Sequence, residues 1–253
     1  MKRLLFLLLL FAFPHTGAEA QKRYVRVKPK PKLASNQKFE ANSGKAIVID
    51  ERLAVLRAAP GLFAKPLQRM RRGRAVTIFE TREVDGLTFY RVAAVPNTQG
   101  WVQKEAVAGR LRRGDDERLA RLVQASDGFD QIERAQIFLE NFTDSPFRPS
   151  ILLLFGDLME EIALKMSADA ARRLSRREMA ASGAPLYSFY LNYSSLDRYQ
   201  RLGIGFVFNS NTRLFHYDGA SWREIIKKSP ATNEAVEAQK RLDALKAKME
   251  AVK

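Results

Sequence analysis

Residues 46–109 alternate short apolar stretches with turn-forming residues. The turn-forming residues include Gly73 and Asp85-Gly86, and the apolar stretches between the turns have the length of β-strands. Asp85-Gly86 lies between two β-rich runs. A two-residue hairpin turn needs positive φ angles, which Asp and Gly adopt readily, so this dipeptide predicts a hairpin. The pattern therefore predicts a small antiparallel β-barrel. Its strand-forming stretches are 46–49, 54–56, 75–79, 89–93 and 100–103.

After Asp115 the apolar residues follow the helical period. Residues 151–158 are apolar nearly all round, which predicts a central, buried helix in which Gly156 lets a neighbouring helix approach. A β-hairpin is predicted near residues 204–217, where two apolar-alternating runs flank a polar turn. The other predicted helices cover residues 115–126, 129–142, 167–183, 186–202, 222–228 and 234–253.

The N-terminus has the three parts of a secretory signal peptide. Lys2 and Arg3 precede an apolar run over residues 4–13, and Ala18-Glu19-Ala20 supplies the cleavage site. The apolar run is shorter than the roughly 20 residues that cross a bilayer, although an uncleaved N-terminal anchor is the alternative. We expect cleavage between Ala20 and Gln21, and an exported protein, periplasmic or secreted, with no transmembrane segment in its mature chain.

The protein is strongly basic, with 43 Lys+Arg against 28 Asp+Glu and a formal net charge of +15. Loss of the signal peptide leaves 41 basic and 27 acidic residues, a net charge of +14. This excess predicts anionic partners, and export favours cell-wall polymer or an envelope protein over nucleic acid. Part of the charge lies in residues 21–45, a Lys/Pro-rich linker that is either an electrostatic arm or a solvated tether.

The residue types exclude several kinds of chemistry. The chain has no cysteine, so disulfides, thiolate metal sites and a cysteine nucleophile are excluded. His216, the single histidine of the mature chain, precedes Asp218, but no nucleophile motif accompanies the pair. Asp157, Glu160 and Glu161 share a helix without the ligand or carboxylate partners that metal or glycosidase sites need. We therefore expect no enzyme activity, no catalytic residue, no metal and no cofactor.

Several short motifs occur together, in a consistent order, within residues 46–109. They are 53–60, Arg72-Gly73 followed by Val76 and Ile78, Asp85-Gly86 followed by 89–92, and Gly100-Trp101-Val102. On these residues the segment resembles a bacterial SH3-like domain of the extracytoplasmic kind, the SH3b domain. The resemblance implies a small barrel that binds peptides or wall material, or acts as a spacer. It carries over no catalytic residue.

Four arginines cluster just before the predicted central strand of the barrel. They are Arg69, Arg71, Arg72 and Arg74. Together with Tyr90 and Trp101 they form the candidate ligand-binding surface, because guanidinium groups pair bidentately with carboxylates and phosphates. The alternative is that the arginines lie on a solvated loop and that Trp101 belongs to the barrel core.

Two helix–turn–helix units in the second half of the chain share a Ser-Pro turn. The turns are Ser145-Pro146 and Ser229-Pro230. The units resemble a tetratricopeptide-like repeat of exported bacterial envelope proteins, which implies interaction with another protein. Because the turns lie 84 residues apart, a tight repeat array is absent, and a compact helical bundle is the alternative to an open array.

These expectations combine into an α+β protein of two domains. A small SH3-like antiparallel β-barrel over residues 46–109 precedes a mainly α-helical, repeat-like bundle with an inserted hairpin over residues 115–253. The expected function is non-enzymatic: the barrel contacts cell-wall polymer or a partner peptide, and the helical domain binds another protein. The alternative is a cell-wall hydrolase in which the barrel is a targeting module.

Overall fold

The computed structural model describes residues 44–94, 98–110 and 112–250. The predicted signal peptide, its cleavage site at Ala20 and Gln21, and residues 21–43 of the predicted linker lie outside this part of the chain. All of the described residues belong to one compact unit. Within them the fold is mixed α/β, with one large antiparallel sheet, one two-stranded sheet and eight α-helices.

The large sheet has seven antiparallel strands in the order β3-β2-β6-β5-β4-β1-β7. The strands are β1 (Lys45–Val48), β2 (Val55–Arg57), β3 (Pro66–Arg69), β4 (Ala75–Val84), β5 (Leu87–Ala94), β6 (Thr98–Gln103) and β7 (Val107–Gly109). Asp85 and Gly86, with φ angles of 53° and 77°, form the predicted turn between β4 and β5. β3 and β7 are edge strands, so the sheet is open and does not close into the small antiparallel β-barrel that the sequence predicted.

Side chains of the first helix cover the free edge of β7. The backbone N–H of Gly109 donates to Asp115 Oδ2 at 2.8 Å, and Arg118 donates to the carbonyl oxygen of Val107. Asp115 and Arg118 both belong to α1 (Asp115–Gln124). These bonds satisfy backbone groups that an edge strand otherwise leaves open. Side chains of α1 thus protect the free edge of β7.

Strands β1 and β7 separate two apolar cores. Val48 of β1 and Val107 of β7 belong to the core inside the sheet. Ile49, directly after β1, and Ala108 of β7 belong to the core of the helical region. Because successive residues of a strand point to opposite faces, these two strands present apolar side chains on both sides. The sheet and the helices are therefore packed directly against each other.

The helices are arranged around α3, the longest of them. After α1 they are α2 (Gly128–Asn141), α3 (Arg148–Arg173), α4 (Arg176–Ser182), α5 (Leu186–Ser194), α6 (Asp197–Gln200), α7 (Ala220–Lys228) and α8 (Asn233–Glu250). Ile151, Phe155 and Met159 of α3 are buried, as the apolar segment 151–158 predicts. In the described part of the chain, no helix is long and apolar enough to cross a membrane.

Two of the predicted helix boundaries are wrong. Ser167, taken from sequence as the start of a helix, is fully buried inside α3, and its Oγ accepts a hydrogen bond from the backbone N–H of Phe215 at 2.9 Å. The Ser167 hydroxyl therefore pairs with a backbone N–H of the hairpin, and it does not cap a helix. The helix predicted over residues 186–202 is divided into α5 and α6 around Ser195, whose φ is 58°.

The hairpin expected near residues 204–217 is formed by β8 (Phe206–Asn209) and β9 (Leu214–Tyr217). The ring of Phe208 lies 5.0 Å from that of Phe215 and 5.5 Å from that of Tyr190 on α5, measured between centroids. A two-stranded ribbon is marginally stable in isolation. Its aromatic contacts with the helices, together with the bond from Phe215 to α3, therefore stabilise it.

Candidate functional site

The residues predicted to form one ligand-binding surface lie on different sides of the sheet. Arg72 faces the helices, with guanidinium nitrogens 3.0 Å from Asp130 Oδ2 and 2.7 Å from Glu133 Oε2 of α2. Only 6% of its side chain is exposed. Arg72 therefore joins the sheet to α2, and its carboxylate partners already take the donors that an anionic ligand would need.

The other predicted residues are also separated from one another. Arg69 Nη1 donates to the carbonyl oxygen of Glu51 at 3.2 Å. Arg71 is exposed and Arg74 is half-buried. Tyr90 lies in the core inside the sheet with 2% of its surface exposed. The alternation of β5 and β6 places Trp101 on the opposite, outer face. The predicted cluster is thus not a single surface.

Tyr90 is held from the end of the sheet by an arginine that the sequence analysis did not single out. The guanidinium carbon of Arg112 lies 4.1 Å from the centroid of the Tyr90 ring, and Arg112 donates to the Tyr90 hydroxyl. Burial lowers the pKa of Arg112 below its usual value, although the nearby carboxylate of Asp115 opposes this effect. Tyr90 therefore belongs to the packing of the sheet.

Trp101 lies between two arginines on the outer face of the sheet. In the strand register it is opposite Arg57 of β2 on one side and Arg91 of β5 on the other. The guanidinium carbon of Arg82, on β4, lies 5.1 Å from the centroid of the Trp101 ring, within cation–π range. With three arginines around it, Trp101 is only 7% exposed.

Strand alternation and one glycine produce this arrangement. Val92 and Val102 point into the core inside the sheet, so the adjacent Arg91 and Trp101 point outward. Gly100 faces inward, where a Cβ atom would lie 2.7 Å from the carbonyl oxygen of Arg57. The lack of a side chain at Gly100 lets β2 approach β6 closely. That approach brings Arg57 next to Trp101.

Arg57, Glu80, Arg82, Arg91 and Trp101 are called the arginine–tryptophan face. Glu80 Oε1 accepts from Arg82 Nε at 2.7 Å, and its other oxygen lies 3.8 Å from Arg91 Nη1. One carboxylate thus pairs with two guanidinium groups, and Arg57 adds a third positive charge, so the face has a net positive charge. The Arg82 and Arg91 side chains are 51% and 49% exposed. Both can therefore bind a further carboxylate or phosphate bidentately.

Part of this face has a signal in the sequence. A two-residue turn at Asp85-Gly86 fixes the register of its hairpin, and that register places Glu80 opposite Arg91. The sequence-based prediction missed these two residues although the hairpin signal implies their pairing. The pairing of Arg57 with Trp101 joins strands distant in sequence, and no local pattern predicts it.

Of the histidine and carboxylates considered from sequence, His216 and Glu160 are buried in the helical region, whereas Glu161 is exposed. His216 is 2% exposed, and its Nδ1 lies 2.8 Å from Glu160 Oε1. Asp218 does not pair with it, and accepts instead from the backbone N–H of Ala220 at 2.9 Å. Burial acts to raise the pKa of Glu160, but hydrogen bonds from His216 and Lys248 outweigh it, so this pKa lies below its usual value. These residues join α3, β9 and α8.

Two clefts open between the helices. One, of about 480 Å³, is lined by Trp222 and by the ion pair of Asp157 with Arg241, whose closest atoms are 3.3 Å apart. The other, of about 330 Å³, is lined by the ion pair of Arg148 with Glu224, at 2.7 Å. In both clefts the named charges neutralise one another. Among the described residues, no group of three or more His, Cys, Asp or Glu side chains is placed to hold a metal ion.

Comparisons of the chain with family models, with curated proteins and with solved structures found no match. The assignment of a function therefore rests on the residues and their geometry. Of the surfaces described, the arginine–tryptophan face combines exposed guanidinium groups, which surround the nearly buried Trp101, with a net charge that suits an anionic ligand.

Proposed function

We propose that the protein is a non-enzymatic, exported binding protein of the bacterial cell envelope, and that its sheet binds an anionic cell-wall polymer. The observation that supports this proposal is the position of Trp101 between Arg57 and Arg91, with the Arg82 guanidinium over its ring. The likeness of residues 46–109 to a bacterial SH3-like domain stays a prediction, and it agrees with a ligand of this kind.

The chemistry of the arginine–tryptophan face suits a chain of repeated anionic groups. Guanidinium groups bind carboxylate and phosphate through paired N–H donors, and they are weakly hydrated, so that they release water more readily than ammonium groups. Half of the Arg82 and Arg91 side chains is exposed, so binding there is electrostatic and sensitive to salt. Residues 44–110 carry 12 basic and 6 acidic residues, which adds a longer-range attraction.

The remaining parts of the protein have supporting roles in this proposal. The helical region binds another envelope protein, which would contact the two interhelical clefts, whose volumes are about 480 and 330 Å³. The Lys/Pro-rich linker, most of which lies outside the described residues, contacts the same anionic layer through its basic residues. The sheet is the part that recognises the polymer.

A pull-down of the exported chain on purified peptidoglycan, across a salt series, tests the proposal. We expect binding at low salt, release at high salt, and a loss of about tenfold in affinity for the double variant Arg82→Ala/Arg91→Ala, since each lost charge-assisted contact weakens binding. Arg172→Ala is the matched control, because Arg172 on α3 has a side chain that is 75% exposed and lies far from the sheet in sequence.

Two results would overturn the proposal. Binding that is unchanged in the double variant, while circular dichroism shows it folded, removes the arginine–tryptophan face as the ligand site. Lysis of cell wall by the purified protein in a zymogram, lost in His216→Ala, would instead support the hydrolase alternative, in which the sheet is a targeting module.

A further inference from the structure

The connection between β2 and β3 exposes three large apolar side chains. Phe63 is 99% exposed, Leu62 is 41% exposed, and Leu67, at the start of β3, is 46% exposed. Single exposed apolar residues are common on protein surfaces. Three within six positions, one of them fully exposed, form a local apolar projection, which is called the apolar tip.

Hydrogen bonds on both sides of Phe63 fix the loop between β2 and β3 that carries Leu62 and Phe63. The backbone N–H of Ala58 donates to the carbonyl oxygen of Lys65 at 3.0 Å, and that of Ala64 donates to Gly61 at 3.3 Å. Arg57 Nη1 adds a bond of 3.0 Å to the carbonyl oxygen of Ala64. The loop is thus fixed in a conformation that leaves Phe63 in water, where an aromatic ring gains no burial energy.

The chain segment that contains the apolar tip carries a single sign of charge. Residues 53–79 contain six Lys+Arg and neither Asp nor Glu. Three of the six, Lys65, Arg69 and Arg71, are exposed. Apolar side chains next to exposed basic residues are the combination that binds the interface of an anionic membrane, with the rings among the acyl chains and the cations at the headgroups.

We propose that the apolar tip inserts into the surface of an anionic lipid bilayer. Phe63 and Leu62 enter the boundary between headgroups and acyl chains, while Lys65, Arg69 and Arg71 contact lipid phosphates. A bilayer fits better than a folded protein partner, since a stable protein interface buries about 800 Å² on each side and three side chains supply much less. A bilayer needs no shape complementarity.

This proposal is separate from the binding of wall polymer. The apolar tip does not include Arg82 or Arg91, and it depends on apolar burial as well as charge. An exported protein that both inserts this loop in a membrane and binds wall polymer on its sheet would lie between the two layers of the envelope.

Co-sedimentation of the exported chain with phosphatidylglycerol and phosphatidylcholine vesicles tests the insertion. We expect binding to phosphatidylglycerol that weakens with salt, and much weaker binding to phosphatidylcholine. Phe63→Ser should lower the affinity about tenfold, because the ring no longer enters the interface. Lys65→Glu combined with Arg69→Glu should lower it by a similar factor. Tyr193→Ser is the matched control, since Tyr193 is 57% exposed on α5, and it should bind as the parent does.

Depth of insertion gives a second measurement. In Phe63→Trp the fluorescence of the new indole should shift to the blue on phosphatidylglycerol vesicles, and brominated lipid should quench it. Both changes should exceed those of Trp101 and Trp222, which are 7% and 2% exposed.

Equal binding to both lipids, or no effect of Phe63→Ser on vesicle binding, overturns the proposal. If Phe63→Ser lowers only the peptidoglycan pull-down, the apolar tip belongs to the polymer site and membrane insertion is wrong. Arg82→Ala/Arg91→Ala should leave vesicle binding intact.

Discussion

Glu160 of α3 and His216 of β9 are 56 residues apart in sequence, and their side chains meet at 2.8 Å in the helical core. The other carboxylate oxygen of Glu160 accepts from the backbone N–H of Tyr217 at 2.9 Å. Lys248 of α8 lies 2.9 Å from the oxygen that faces His216. One carboxylate therefore holds together a helix, a hairpin and the last helix.

Ionisation of Glu160 should contribute to stability above about pH 4.5. Burial acts to raise its pKa, but the bonds from His216, Lys248 and Tyr217 outweigh burial and lower it from the ordinary value of 4.5. A carboxyl whose pKa is lower in the folded state stabilises that state above its unfolded pKa, and the stabilisation is lost as pH falls through the folded pKa. The network should therefore weaken in acid.

Glu160→Gln tests this reasoning in urea unfolding across a pH series. At pH 7 we expect the variant to lose about 1 to 3 kcal/mol of unfolding free energy, because an amide cannot accept all three of these bonds. The difference from the parent should shrink as pH falls below about 4.5. Glu161→Gln, at an exposed position one residue on, is the control. A difference that stays constant from pH 7 to pH 3 contradicts the account.

Arg72 should contribute to stability rather than to ligand binding. Its guanidinium forms salt bridges with Asp130 and Glu133, and only 6% of its side chain is exposed. Arg72→Ala should therefore lower the free energy of unfolding by about 2 kcal/mol, the scale of hydrogen bonds to charged groups. Arg71→Ala, at an exposed neighbouring position, should change it by less than about 0.5 kcal/mol.

A double-mutant cycle isolates the pair of Arg72 with Asp130. Asp130 is 57% exposed, and the bond from Arg72 is the main cause that lowers its pKa. We expect a coupling energy of about 1 kcal/mol between Arg72→Ala and Asp130→Ala, as for residues in direct contact. Additive effects of the two changes would show that the contact between the sheet and α2 does not depend on this pair.

Gly156 marks a close approach of two helices. A Cβ atom at this position would overlap Trp222 Nε1 and lie 2.6 Å from Ser221 Oγ, both on α7. Gly156→Ala should therefore destabilise the protein by about 1 to 3 kcal/mol through overpacking, against a gain of about 1 kcal/mol in helix propensity. The melting temperature measures the balance, which we expect to be a loss.

A second substitution separates overpacking from other effects of Gly156→Ala. Trp222→Phe removes the Nε1 atom nearest to the new methyl group. Gly156→Ala should then cost less in the Trp222→Phe background than in the parent, because the two changes share one contact. If Gly156→Ala destabilises both backgrounds equally, the destabilisation does not come from the contact with Trp222.

Local patterns predicted the parts of the fold that depend on neighbouring residues. The turn at Asp85-Gly86 and the buried segment of α3 follow from turn chemistry and from apolar periodicity, and the structure confirms both. Ser167 was misjudged because its hydroxyl bonds Phe215, which is distant in sequence. A side chain that bonds locally and one that bonds a distant strand look the same in sequence.

In the candidate site, too, neighbouring residues in the sequence are separated in the fold, and distant residues are brought together. Arg69, Arg71, Arg72 and Arg74 are close in sequence, yet the chain turns and alternates between faces there, so Arg72 faces α2 while Arg71 stays in solvent. The arginine–tryptophan face is assembled from β2, β4, β5 and β6. The order of the strands in the sheet brings these residues together, and that order cannot be predicted from how close the residues are along the chain.

The carboxylate of Asp115 should determine whether the free edge of β7 stays protected. Its Oδ2 accepts from the backbone N–H of Gly109 at 2.8 Å, and its Oδ1 accepts from Arg118 at 3.0 Å. Asp115→Asn keeps the shape, but its NH₂ group faces a donor whichever way the amide turns. We expect a loss of about 1 to 3 kcal/mol in unfolding free energy and faster hydrogen exchange at the Gly109 amide, measured by NMR. Glu117→Ala, on the same helix at a side chain that is 45% exposed, should leave that exchange rate unchanged. Slow exchange in Asp115→Asn would show that another group protects the edge.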